Sequence, residues 1–166
     1  NIGFDDTGTL KLFDFGLAAK ITPRGLTGIA GTRCYMAPEM AMQQRYGTKV
    51  DVYAFGLLLW EICSLEQAFE GYNEKRHFTR VVRNAERPRI RWGWPRALQH
   101  LVRTCWSPEP QERPTMDHVV ETLERILEHH HHKTTTTTMT PTKQEEEEEE
   151  KVEDDPQQQQ QQQQQE

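Results

Sequence analysis

Asp14-Phe15-Gly16 and, after twenty intervening residues, Ala37-Pro38-Glu39 bracket the stretch whose reading decides the fold. Upstream, Ile2-Gly3-Phe4 and Thr9-Leu10-Lys11-Leu12-Phe13 flank the turn Asp5-Asp6-Thr7-Gly8. β-formers on either side of residues that tolerate left-handed backbone angles predict a hairpin. Asp14 therefore stands at a strand end, where a carboxylate is a hard oxygen ligand suited to Mg²⁺. Gly16 lets the backbone turn so that Asp14 can swing, with Phe15 packing as its gate. Residues 14–47 are rich in Gly, Thr and Pro without periodicity, which predicts a long ordered loop, a type of segment that usually carries function.

Beyond the loop the pattern becomes helical. Thr48-Lys49-Val50-Asp51 has the form of a capping box, predicting a helix over Val52 to Cys63. Its apolar residues, among them Phe55, Leu58 and Ile62, cover all faces, so burial on every side is expected. A shorter helix is predicted from Asn73 to Asn84. Pro95 suits the first turn of a helix carrying Leu98, Leu101, Val102, Cys105 and Trp106. Thr115 is the expected N-cap of a last helix, in which Met116, Val119, Val120, Leu123, Ile126 and Leu127 recur at spacings of three and four. That helix is expected to end in His129–His132. Trp92, Trp94 and Trp106 are read as core residues. The architecture is mainly α: a short β-hairpin, a loop, then about four helices.

Composition divides the chain. Residues 133–166 hold 3 of the 20 Lys/Arg and 10 of the 26 Asp/Glu, a net −7, leaving 17 against 16 for residues 1–132. The formal charge of −6 thus belongs to the tail, and nothing in the balance suggests nucleic-acid or membrane binding. The Thr134–Thr138, Glu145–Glu150 and Gln157–Gln165 runs cannot bury enough apolar surface to offset chain entropy, so residues 129–166 are expected to be disordered. Cys34, Cys63 and Cys105 are odd in number and form no CxxC pair, which fits a reducing, cytoplasmic compartment. The histidine run reads as repeat expansion rather than a metal site, and Cys34 as inert.

The two triplets, in this order and spacing, resemble the signature of the eukaryotic protein kinase family. The resemblance covers about residues 1–128 and is reinforced by Asp51-Val52-Tyr53-Ala54-Phe55-Gly56 and by Cys105-Trp106 through Arg113-Pro114-Thr115. It implies the C-terminal lobe only of the α+β kinase fold. It also implies ATP and Mg²⁺ as cofactors, with Asp14 and Asn1 as metal ligands, because the family's catalytic loop ends in an Asn that precedes such a hairpin. The base Asp, the glycine-rich loop and the phosphate-gripping lysine would lie upstream of Asn1. The chain is accordingly expected to be an incomplete, inactive fragment of an active kinase whose partner is a protein substrate. A membrane anchor upstream stays open.

Gly31-Thr32-Arg33-Cys34-Tyr35-Met36 resembles the family's substrate-positioning loop, where a threonine in the place of Thr32 favours Ser/Thr specificity. The surroundings of Ala37-Pro38-Glu39 and the helix end Trp60-Glu61 resemble the tyrosine-kinase-like group of Ser/Thr kinases. Thr27, and secondarily Thr22, are candidate sites for phosphorylation by an upstream kinase. Glu39 and Arg113 look like the family's buried ion pair, and Asp51 like the residue bracing the catalytic loop; both roles are structural. The competing readings are a pseudokinase scaffold, a tyrosine or dual-specificity kinase, and a standalone half-domain acting as a binding module.

Overall fold

A computed structural model describes residues 1–137, with side chains through His129. Strands β1 (Ile2–Phe4) and β2 (Leu10–Leu12) pair antiparallel, with Ile2 opposite Leu12 and Phe4 opposite Leu10. Asp5 organises the turn: its Oδ1 accepts hydrogen bonds from the amides of Thr7 (3.0 Å) and Thr9 (2.9 Å). Gly8 supplies the left-handed residue there, at φ +78°. A long segment follows, in which Leu26 and Tyr46 form an isolated antiparallel bridge. It contains a tight turn over Arg33–Tyr35 and a one-turn helix, α1 (Pro38–Ala41), with proline in its first position.

Helix α2 (Lys49–Ser64) is the core element. Val52, Tyr53, Leu57, Leu59 and Trp60 bury against Leu101, Val102, Cys105 and Trp106 of α4 (Arg96–Cys105) and its C-terminal end. Each such large side chain contributes about 1.5–3 kcal/mol on leaving water. The helices approach so closely that a Cβ on Gly56 would sit 2.6 Å from the Cβ of Cys105. Only glycine fits there. Burial pushes the Cys105 thiol up to about 12. Between these helices in sequence come α3 (Glu74–His77), capped by Asn73 accepting from the Arg76 amide, and a wider helical turn over Phe78–Arg83. Thr115 Oγ1 accepts from the His118 amide at the start of α5 (Met116–Thr137), and Val119 of that helix is buried in the core.

Four details depart from the sequence pattern. The helix α2 starts at Lys49 rather than Val52, and Thr48 before it makes no side-chain cap, because its backbone angles are helical where a capping residue is extended. The all-round apolar pattern of α2 does not give all-round burial: Ile62 is 61% exposed and Phe55 and Leu58 are half-buried, since α4 covers only one side. Trp92 is 89% exposed, held on a turn between core elements, whereas Trp106 is buried and Trp94 packs at the core's edge. Finally, α5 does not stop at the histidines but runs through them to Thr137, as a helix once nucleated extends through residues of middling propensity. The predicted disorder of residues 138–166 lies outside the described residues.

His77 is buried, edge-on to Phe69 at 5.3 Å between ring centroids, with Nε2 unpartnered. Burial, then the charges of Arg33 and Arg87, hold its pKa below the ordinary 6.5. The unfolded chain therefore takes up this proton first, and stability is lost as the pH falls below 6.5. The urea midpoint of the wild type should fall more between about pH 7.5 and about pH 5.5 than that of His77→Phe; equal losses would exclude the effect.

Candidate active-site segment and its anchor

The hairpin explains how residues far apart in sequence meet. The Phe13 amide donates to the Asn1 carbonyl (3.1 Å), which extends the β-ladder past Ile2 and Leu12. Asn1 thereby lies alongside Phe13, next to Asp14, and the side chains of both Asn1 and Asp14 are exposed. Asp14 adopts a left-handed conformation at φ +59°, which Asp tolerates better than most residues. Its Oδ1 accepts from the Gly16 amide at 3.3 Å. A Cβ on Gly16 would come within 3.2 Å of that oxygen, so the glycine leaves the carboxylate room. Phe15 is 68% exposed and does not pack as a gate, because the loop around it is itself solvent-exposed.

Asp14 and Asn1 offer a carboxylate and a carboxamide oxygen. Two hard protein donors, with phosphate and water completing the shell, suit Mg²⁺, which keeps several waters and rarely uses an all-protein cage. No cluster of three or more His, Cys, Asp or Glu forms among the described residues.

Of the remaining loop residues, Thr22 and Thr27 are exposed; Thr22 Oγ1 donates to the Gly25 carbonyl at 2.9 Å. Gly25, Gly28 and Gly31 all have positive φ, giving the segment between Thr22 and Thr32 its sharp turns. Thr32 is exposed, and its carbonyl accepts from the Tyr35 amide. Burial and the nearby Glu61 raise the Cys34 thiol above its ordinary value, which disfavours the reactive thiolate.

From Met36 the chain dives into the body, and Glu39 meets Arg113 there. Arg113 Nη1 donates to Glu39 Oε1 at 2.7 Å and Nη2 to Oε2 at 2.8 Å. The other guanidinium N–H groups reach the carbonyls of Ser107 (2.8 Å), Lys49 (3.0 Å) and Pro108 (3.2 Å). Arg113 is 1% exposed and Glu39 5%. The guanidinium also lies over the Tyr53 ring, 5.0 Å from its centroid, and Arg87 lies over the same ring at 5.1 Å. Asp51 is not in this network; among the described residues its side chain has no hydrogen-bond or ion-pair partner, and partial burial raises its pKa.

Three contributors escape a reading by motif. Lys49 Nζ donates to the carbonyls of Arg113 and Pro114, which uses the first residue of α2 to hold the loop that carries the arginine. Arg87 serves the carbonyls of Trp106, Val81 and Glu86. Tyr35 donates its hydroxyl to Glu61 Oε2 at 2.5 Å, while Glu61 Oε1 accepts from the Ala68 amide at 2.7 Å. Burial and that carboxylate hold the Tyr35 hydroxyl protonated well above its ordinary range. Tyr35 and Glu61 both belong to motifs visible in the sequence, but nothing in one dimension pairs them.

Because lysine keeps the charge of Arg113 but loses its planar fork, Arg113→Lys should cost on the order of 3 kcal/mol in urea unfolding. A loss below about 0.5 kcal/mol, the usual range for a surface change, would contradict the role given to the pair.

Comparison with known proteins agrees with this layout. Residues 1–123 match the family model described as the protein kinase domain. The chain is 36% identical over 126 residues to a serine/threonine/tyrosine-protein kinase of Arabidopsis thaliana, a match covering 75% of this chain and 32% of that protein. It is 34% identical over 133 residues to one dual specificity protein kinase of Dictyostelium discoideum, covering 76% of this chain and 19% of the relative. For a second such kinase of that organism the figures are 34% over 134 residues, 76% and 25%. The chain thus spans a fifth to a third of the length of these relatives. With a hairpin leading into Asp14-Phe15-Gly16 and a buried Glu39–Arg113 fork closing the segment, this chain belongs to the protein kinase family.

Proposed function

We propose that this chain supplies the metal-binding hairpin, activation segment and helical lobe of an ATP-dependent protein kinase that phosphorylates serine and threonine. The observation that carries the reading is the hairpin register, which sets Asn1 beside the residue preceding Asp14 and leaves both side chains open to solvent. Mg²⁺ bound with ATP would neutralise charge on the phosphates as the phosphoryl group moves. Within the chain, Asp14 and Asn1 would hold that ion through their oxygens. Gly16 gives Asp14 its freedom of position, and Thr32 and its neighbours orient the substrate hydroxyl. Thr27, exposed on the glycine-turned stretch, is the proposed site of activating phosphorylation by an upstream kinase, with Thr22 as the second choice. A phosphate there would order the loop by pairing with arginines.

A protein substrate and phosphoryl transfer need more than these groups supply. The 166 residues contain no counterpart of the family's glycine-rich loop, phosphate-gripping lysine or catalytic aspartate, so by themselves they are expected not to catalyse transfer. A dual-specificity reading is favoured by the relatives' names, which include serine/threonine/tyrosine and dual specificity kinases. No helix among the described residues is long and apolar enough to cross a membrane; a cytoplasmic setting is proposed from the cysteine pattern.

Phosphoamino-acid analysis of substrate labelled by an intact kinase containing this chain should yield phosphoserine and phosphothreonine. Added phosphotyrosine would select the dual-specificity reading, and phosphotyrosine alone would refute both. Asp14→Asn in that kinase should lower kcat by about a hundred-fold or more, as loss of a charge-stabilising group does, and unchanged turnover would point to a scaffold. The chain alone should transfer no labelled phosphate from ATP.

A further inference from the structure

Away from the activation segment, a cleft of about 660 Å³ opens between the stretch Arg87–Trp92 and helix α4 with the turn after it. Its apolar wall is formed by Ile90 and Trp106, which are buried, and by Trp92, which is 89% exposed. Around it stand Arg89 and Arg103, both exposed. Arg91 pairs with Glu66, Arg80 with Glu86, and the one carboxylate lining the cleft, Glu112, accepts from Ser107 Oγ at 2.5 Å. Arg89 and Arg103 have no acidic partner among the described residues.

An exposed tryptophan flanked by unpaired arginines has the composition of an interaction hot spot rather than of solvated surface. We infer that this cleft docks an acidic peptide segment of a partner protein. Its carboxylates pair with Arg89 and Arg103, and an apolar side chain between them lies against Trp92. Guanidinium groups suit this occupant because their planar forks take carboxylates bidentately. The inference does not depend on the kinase reading, since the residues lie outside the activation segment.

The test is a fluorescence-anisotropy titration of the 166-residue chain with a labelled peptide of six glutamates interrupted by one leucine. The glutamates Glu145–Glu150 of the chain are changed to glutamine throughout, so that they do not compete in solution. Saturable binding is expected, weakened at least about ten-fold by Arg89→Glu/Arg103→Glu and lost with rising salt. Lys75→Glu, an exposed cation lining the other cleft, should leave affinity within about two-fold, and circular dichroism should show both variants folded. Trp92→Ala should weaken binding while leaving the salt dependence in place. Equal binding by the charge-reversed protein, equal binding of a glutamine version of the peptide, or capture of a phosphoserine peptide but not the glutamate one would each overturn the proposal.

Discussion

The buried fork between Arg113 and Glu39 is the interaction on which the rest of the arrangement depends. Two charges taken out of water cost several kcal/mol each, and their attraction repays this only when geometry is good and every remaining group is satisfied. Both conditions hold here. The five guanidinium N–H groups have five acceptors: two oxygens of Glu39, the Lys49 carbonyl, and the adjacent carbonyls of Ser107 and Pro108. One side chain therefore fixes the end of the activation segment, the start of α2 and the turn after α4 to a common point. Lys49, at the head of α2, strengthens the junction from the other side.

This anchor divides the segment into two halves of different character. From Met36 through Glu39 the chain is buried, and the Tyr35–Glu61 hydrogen bond adds a second tie to the far end of α2. From Asp14 to Thr32 nearly everything is exposed, with the Leu26–Tyr46 bridge as the one strand-like contact. A loop with its end clamped and its middle free can change conformation at the residues proposed for metal binding and phosphorylation without disturbing the core. Regulation of the proposed kinase would exploit that asymmetry: a phosphate on Thr27 acts on the free half, while the substrate-positioning residues next to the clamp move little.

Much of this was legible in one dimension, for reasons that differ between residues. The hairpin, α4 and α5 follow from local signals: Asp5 and Gly8 in the turn, Pro95 before α4, Thr115 as a cap. The Glu39–Arg113 contact could be anticipated only through a resemblance, because its partners are far apart in sequence and neither carries a local mark of pairing. Periodicity failed for α2 because an apolar face records a capacity for burial, not a neighbour; Ile62 has the character of a core residue and no described partner. Trp92 failed for the same reason. Lys49 misled in a different way: the Thr48–Asp51 pattern suggested a capping box, yet the lysine inside it does the tethering. Capping motifs describe one helix, and this contact joins two segments.

Amide hydrogen exchange across the chain tests the central claim most directly, since it reads the clamped and free halves of the segment at once. Met40, Ala41, Met42 and Gln44 donate to carbonyls of Ala37, Pro38 and Glu39 beside the fork. If the fork joins them to the core, these amides exchange as slowly as those of Leu57 and Leu59 in α2, while Ala18 and Gly25 exchange fast. Exchange at Met40–Gln44 as rapid as at Ala18, with α2 still protected, would contradict the account.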